Sequence, residues 1–265
     1  MQSEFLSTAI QASKNAEKII MQYYSEDIKV EIKKDMTPVT IADKKAEKII
    51  IKTIMSKFPD HEILGEETGR TGESEYQWVI DPIDGTKNYM KKIPIFGTLI
   101  ALVKNGEVIV GVSNLPALQE MIYAEKGKGA WKVQGTKKRL HVSNCSRVSD
   151  SWLNSGNITR FDKLGFKNNV MNLISDCSRQ RGFGDSYMYH TVCEGKFDAA
   201  IESQLSFWDI APFAIIIPEA GGKITDLKGR SIDIRADTCV ASNGRIHDEI
   251  LKYFKSEQSI ANIFK

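Results

Sequence analysis

"YQWVIDPIDGTKNY", residues 76–89, decides how the rest of the chain is read. Trp78, Val79 and Ile80 form a short apolar run of the kind a buried strand shows. Asp81 and Pro82, then Asp84 and Gly85, follow at once, and these residue types end a strand in a turn. Such places favour chemistry, because the strand fixes a group that the loop exposes. With Pro82 fixing one φ angle, both carboxylates can be aimed at one point. Hard cations such as Mg²⁺ take oxygen ligands of this type, usually a few carboxylates completed by water and a substrate phosphate. Taken alone, the stretch is equally well explained as a plain turn.

Upstream, Phe5, Ala9, Ala12, Ala16, Ile19 and Tyr23 recur at helical spacing, and predict one amphipathic helix. A second is expected from Thr40, where "TIAD" has the form of a capping box with Asp43 at its third position, through Ala46, Ile49, Ile50 and Ile54 to Phe58. Downstream, "FGTLIALV" and "EVIVGVSNL" are β-branched runs joined at Asn105-Gly106, a strong hairpin signal. A further hairpin is expected at "KGKG", residues 126–129. The first half thus reads as two helices against an antiparallel sheet. Beyond about residue 145 helices and strands interleave: a helix near 185–194, a strand at "DAAIE", a helix over 209–220, strands at "GKITD" and "CVASN", and a final helix near 247–255. The expected organisation is an N-terminal α+β half over 1–145 and a C-terminal α/β half over 146–265, packed as one unit with two sheets between helix layers.

The 265 residues carry 36 Lys and Arg against 34 Asp and Glu, a net charge of +2 that gives no reason to expect nucleic acid as a partner. No apolar run approaches the roughly 20 residues that span a bilayer, and the N-terminus lacks a secretory pattern. The expectation is a cytoplasmic protein with no membrane partner. Cys145, Cys177, Cys193 and Cys239 show no CxxC or metal-finger spacing and read as reduced. His61, His141, His190 and His247 show no triad or metal spacing and read as structural or surface residues.

Two more acidic stretches bear on the central one. "GEETG", residues 65–69, is too short for a helix, so Glu66 or Glu67 can point inward beside Asp81 or lie solvated on the surface. "FWDIAPFAIIIPEAGG", residues 207–222, places Asp209 at a helix start with Pro212 in the first turn; an N-cap role and a ligand role both fit. A helix start also suits an anionic substrate.

"GEETG", "WVIDPIDGTKNY", "WDIAP" and "PEAGGKITD", in that order, resemble the inositol monophosphatase family, over about Thr37 to Leu251. The resemblance implies a layered αβαβα sandwich of the inositol monophosphatase and fructose-1,6-bisphosphatase type. It implies that Glu66, Asp81 and the carbonyl of Ile83 hold one Mg²⁺, and Asp81, Asp84 and Asp209 a second, with two or three ions per site and Mn²⁺ as an alternative. The N–H groups of Gly85 and Thr86 would meet the phosphate, where the absent Gly85 side chain permits close approach. Thr86 and Asp43 would orient the attacking water, with Glu66 beside them. It also implies Li⁺ inhibition and a homodimer. Paired cations answer the difficulty of the reaction, since they neutralise the phosphoryl oxygens that repel nucleophiles.

Glu202 matches a family glutamate that binds sugar hydroxyls, which suits a polyol or an amine. "DMTPVTIADKKAE", "IPIFGTLIALVKNGEVIVGVSNLPAL", "RGFGDSYMYH" and "ASNGRIHDEIL" look more like the histidinol-phosphate phosphatase branch, which implies a place in histidine biosynthesis. Asp185 in "RGFGD" can pair with the histidinol ammonium or cap the helix that follows. Substrate contacts are thus expected from Asp84, Asp185 and Glu202. The expected activity is hydrolysis of a small phosphate monoester, L-histidinol phosphate, with myo-inositol 1-phosphate as the nearest alternative and sugar or nucleoside bisphosphates behind. A silent relative that only binds a phosphometabolite is the non-enzyme alternative, and the presence of every expected ligand residue argues against it.

Overall fold

The structure is a computed structural model and describes residues 2–26, 30–32 and 38–255. Thr37, where the resemblance begins, and the Thr40 side chain expected to cap the second helix lie outside the described residues. In the first half the elements are α1 (Glu4–Tyr24), β1 (Val30–Ile32), β2 (Pro38–Thr40), α2 (Ile41–Met55), β3 (Glu62–Gly65), β4 (Gly69–Thr71), β5 (Tyr76–Asp84), α3 (Thr86–Met90), β6 (Gly97–Lys104), β7 (Glu107–Leu115), β8 (Glu120–Glu125), β9 (Ala130–Gln134) and β10 (Thr136–Arg139). In the second they are β11 (Trp152–Ser155), α4 (Ile158–Lys163), α5 (Lys167–Asp176), β12 (Arg179–Arg181), α6 (Asp185–Cys193), β13 (Ala199–Ser203), α7 (Phe207–Ile210), α8 (Phe213–Glu219), β14 (Lys223–Thr225), β15 (Thr238–Ser242) and α9 (His247–Tyr253).

Eight strands form one sheet in the order β10-β9-β8-β7-β6-β5-β3-β4, and five form a second in the order β12-β11-β13-β15-β14. Strand periodicity assigns each sheet face to its own core. Trp78, Ile80, Ile100 and Leu102 face Ala12, Ala16, Ile20, Ala46 and Ile50 of α1 and α2. Their neighbours Val79, Leu99 and Ala101 face the opposite way, onto Tyr189, Val192, Phe213 and Ile216 of α6 and α8. The second sheet repeats the rule: Ala200, Cys239 and Ala241 join that middle core, while Ala199, Ile201 and Val240 pack on Phe161, Leu173 and Ile250 beyond it. The layers are therefore helix, sheet, helix, sheet, helix, the αβαβα sandwich the motifs implied.

Ser3 caps α1 by accepting the Leu6 N–H at 3.2 Å. The buried stripe of this helix is Leu6, Ala9, Ala12, Ala16 and Ile20; Phe5, Ile19 and Tyr23, expected on it, are only partly buried. Small residues at the centre of the stripe let α1 lie close to α2 and the sheet.

Several expectations are corrected. The larger sheet is not wholly antiparallel, because β3 pairs with β5 in parallel, Gly65 opposite Ile80. The helix expected over 209–220 is two, α7 and α8, because Pro212 has no N–H to continue the first. Residues 152–181 hold β11, α4, α5 and β12, none of which the sequence announced. In α5, only Val170 and Leu173 are buried, among asparagines that give little helical signal.

Candidate active site

In a regular strand residues three apart face opposite sides of the sheet. β5 escapes that rule because its register against β6 shifts between Asp81 and Asp84. Pro82 gives no N–H to the ladder there, and its carbonyl instead accepts the Thr98 hydroxyl at 2.9 Å. Asp81 and Asp84 thereby converge on Asp209, with one carboxylate oxygen of each lying within 4.8 Å of the others.

Glu66 arrives from the neighbouring strand. Its N–H donates to the Ile80 carbonyl at 3.1 Å, which holds the turn after β3 beside Asp81. The turn is anchored from below by Glu47 of α2, which is fully buried and accepts the N–H groups of Glu67 at 3.0 Å and Thr68 at 2.8 Å. A Cβ on Gly65 would lie 2.8 Å from that carboxylate, so a larger residue there would push the Glu47 anchor aside. Sequence reasoning missed Glu47, although it stands four residues after Asp43 on the same buried face of α2.

Asp209 is not the N-cap expected of it. Ser206 is the cap, and Asp209 is its reciprocal partner three residues on, accepting the Ser206 N–H at 2.8 Å in a capping box. Pro212 lies between α7 and α8, not in the first turn of α7. Asp185 is likewise no cap: Gly184 holds that position without a side-chain bond, while the Asp185 carboxylate accepts from Asn88 Nδ2 at 2.8 Å. The group that serves the start of α6 is Asp84, whose Oδ2 accepts the Ser186 N–H.

These groups line one cleft of about 220 Å³, with Glu66, Asp81, Ile83, Asp84, Gly85, Thr86, Asp185, Glu202 and Asp209 all in its wall. Asp43 is not among the described residues that line it; it lies buried in the first turn of α2. The Thr86 hydroxyl donates to the Ile83 carbonyl at 3.0 Å. Gly85 has φ +82°, a left-handed value that glycine accepts without strain. Lys87, Arg160, Tyr189, Gln204 and Trp208 share the wall unpredicted. Lys87 and Trp208 sit inside motifs already quoted, but Arg160 comes from α4, a region with no motif.

Electrostatics shows what the cleft lacks. Burial, then Glu66, Asp84 and Asp209, push the Asp81 carboxyl well above its ordinary range. Burial, then Asp185 and Asp209, do the same to Asp84. Asp209 is raised to about 7, chiefly by burial and then by Glu66 against the opposing Ser206 hydrogen bond. Glu202 is raised to about 8 by burial, Asp185 and Asp209. Asp81 Oδ1 is buried with no hydrogen-bond partner among the described residues, a costly state for an acceptor. Crowded oxygens, an orphaned acceptor and uncompensated charge together fit hard divalent cations.

Buried histidines lie elsewhere. His190 accepts or donates to Ser113 Oγ and Glu120 Oε1 at 2.8 Å each, and Lys132 links Glu120 to Glu194 at 2.7 and 2.8 Å. The chain Ser113–His190–Glu120 has the order of a nucleophile triad, which no sequence spacing announces. Both His190 and Ser113 are fully buried, so no substrate reaches them, and the network ties α6 to the larger sheet.

Comparison with known proteins places the chain. A profile of the inositol monophosphatase family matches residues 1–259. A histidinol-phosphatase of Streptomyces coelicolor is 41% identical over 233 residues, covering 86% of this chain and 87% of that protein. An inositol-1-monophosphatase of Mesorhizobium japonicum is 31% identical over 264 residues, covering 97% and 98%. Both names describe phosphoric monoester hydrolases. The crystal structure of the extragenic suppressor protein SuhB from Bartonella henselae superposes with a TM-score of 0.88 at 30% identity, over 96% of this chain and all of that one. The chain belongs to the inositol monophosphatase family.

Proposed function

We propose that this member of the inositol monophosphatase family is a Mg²⁺-dependent phosphomonoesterase, acting on L-histidinol phosphate in preference to myo-inositol 1-phosphate. The observation that carries the reading is the convergence of Asp81, Asp84 and Asp209 within 4.8 Å, beside Glu66 in the same cleft. In this reading Glu66, Asp81 and the Ile83 carbonyl hold one ion, and Asp81, Asp84 and Asp209 another. Bound there, Mg²⁺ supplies positive charge that offsets the phosphoryl and leaving oxygens and lowers the pKa of water.

The chain's own residues do the rest. The Gly85 and Thr86 N–H groups hold the phosphoryl group, as the left-handed Gly85 turn allows. Thr86 orients the attacking water, with Asp43 acting on it from outside the cleft wall, and Glu66 takes part in moving its proton. The Ile83 carbonyl keeps a second lone pair beside the one that accepts Thr86. Asp185 and Glu202 receive the alcohol end: two carboxylates, Glu202 buried and Asp185 half-buried, favour an ammonium over a neutral hydroxyl, which supports histidinol phosphate, as does the name of the Streptomyces relative. The second reading, inositol 1-phosphate, draws on Tyr189, whose hydroxyl donates to Glu202 at 3.3 Å and marks that end as able to bind hydroxyls. Cytoplasmic location, a homodimer and Li⁺ inhibition belong to the same reading; no helix among the described residues is long and apolar enough to cross a membrane.

Phosphate release from a panel of monoesters, with Mg²⁺ and with EDTA, is the test. Release from histidinol phosphate that exceeds release from inositol 1-phosphate and stops in EDTA is expected. Metal-independent release, or none from any ester, refutes the proposal.

A further inference from the structure

Asp185 has φ +48°, a left-handed conformation that few residues other than Gly, Asn and Asp adopt. Helix initiation does not require it, because the Asp185 carboxylate caps nothing. An uncommon backbone state kept at a cleft points to a use for the side chain it aims. That side chain is held by Asn88, whose Nδ2 donates to Asp185 Oδ2 at 2.8 Å and to the Ile95 carbonyl at 2.9 Å. Both amide protons are thus used, and the amide is gripped from two sides. A Cβ at Gly85 would lie 3.1 Å from the same Asp185 oxygen, so the carboxylate rests against the turn proposed to hold the phosphoryl group.

Asn88 cannot ionise, so it orients the carboxylate without cancelling its charge, as Lys or Arg in its place would. Lys87 and Arg160 line the same cleft, yet among the described residues no Lys, Arg or His forms an ion pair with Asp185. The carboxylate is half-buried against the turn, aimed, and in direct ion-pair contact with no cation among the described residues, although Arg160 and Lys87 act on it from a distance.

We propose that Asn88 is a positioning residue that sets leaving-group selectivity, holding Asp185 so that phosphate esters of amino alcohols are favoured over esters of neutral polyols. The inference rests on the phosphomonoesterase reading above. Its test is the ratio of kcat/KM for L-histidinol phosphate to that for myo-inositol 1-phosphate, in the wild type, Asn88→Ala, Asp185→Asn and the double variant. Loss of one charge-assisted contact lowers the ratio about tenfold in each single variant. In the Asp185→Asn background, Asn88→Ala should change the ratio no further, the coupling expected of residues that act as a unit. Should Asn88→Ala fail to fold, Asn88→Leu, close in shape but unable to donate and uncharged, is read in the same way. A merely structural Asn88 would lower both substrates together and leave the ratio unchanged, which overturns the inference alone. A wild type inactive on every ester refutes the enzyme reading and the inference with it.

Discussion

Replacing Asp209 by Asn should make the metal-free protein more stable and the Mg²⁺-loaded protein less so. One oxygen each of Asp81, Asp84 and Asp209 lie within 4.8 Å of one another, and burial followed by the Glu66 charge raises Asp209 from 3.8 to about 7. A carboxyl raised in the folded state keeps a proton that the unfolded chain has released, so metal-free stability falls as pH rises from 3.8 toward 7 and stays low above. The whole rise is equivalent to about 4 kcal/mol at pH 8. Asn removes the charge and keeps an oxygen for the Ser206 N–H, but its amide must still be desolvated, leaving a gain of about 2 kcal/mol. For a chain of this size that is a melting midpoint about 5 °C higher in EDTA at pH 8. Excess Mg²⁺ should then raise the wild type by binding only the folded state, and raise the variant little while its turnover is lost. Differential scanning calorimetry in EDTA and in Mg²⁺ reads both effects. A variant that melts at or below the wild type in EDTA, or that keeps the full Mg²⁺ response, refutes the charge-crowding argument.

Glu47→Gln leaves one oxygen to serve the Glu67 and Thr68 N–H groups and turns an NH₂ toward them. Urea unfolding should show a loss of about 2 kcal/mol, and calorimetric titration a roughly tenfold weaker Mg²⁺ affinity as the Glu66 turn loosens; unchanged affinity would show that the turn needs no anchor. His247 is fully buried between Thr225 Oγ1 and Ser242 Oγ, 2.9 Å from each, and burial, then Lys223, lowers its pKa to about 4. A depressed histidine stabilises the fold above the unfolded value of about 6.5, and that contribution, up to about 3 kcal/mol, is lost as pH falls toward 4. Urea midpoints from pH 7.5 to 5 should therefore fall more steeply in the wild type than in His247→Gln, and equal slopes would count against it.

The local elements that carry the site were legible in the residues themselves, and the resemblance joined them into one site. The apolar run ending in Asp81, the turn at Pro82 and the acidic groups at Glu66 and Asp209 are local patterns, and a strand, a turn or a helix start is decided largely by neighbours in sequence. Alternating helix and strand periods restricted how apolar faces could pair and pointed to two sheets with packed helices, while the αβαβα order was implied only by the family resemblance.

What the sequence could not decide is which side chain meets which. Asp81 and Asp84 face one point only because β6 shifts its register against β5. Asp209 is a reciprocal partner of Ser206 and no cap because α7 already begins at Phe207, two residues before it. Glu47 holds the Glu66 turn, Asn88 holds Asp185, and Arg160 reaches the cleft from a helix without a motif, each across a gap in sequence that no periodicity spans. Local preference sets the elements. Convergence depends on the register between strands and on the close packing of three cores, and those quantities exist only once the chain is folded.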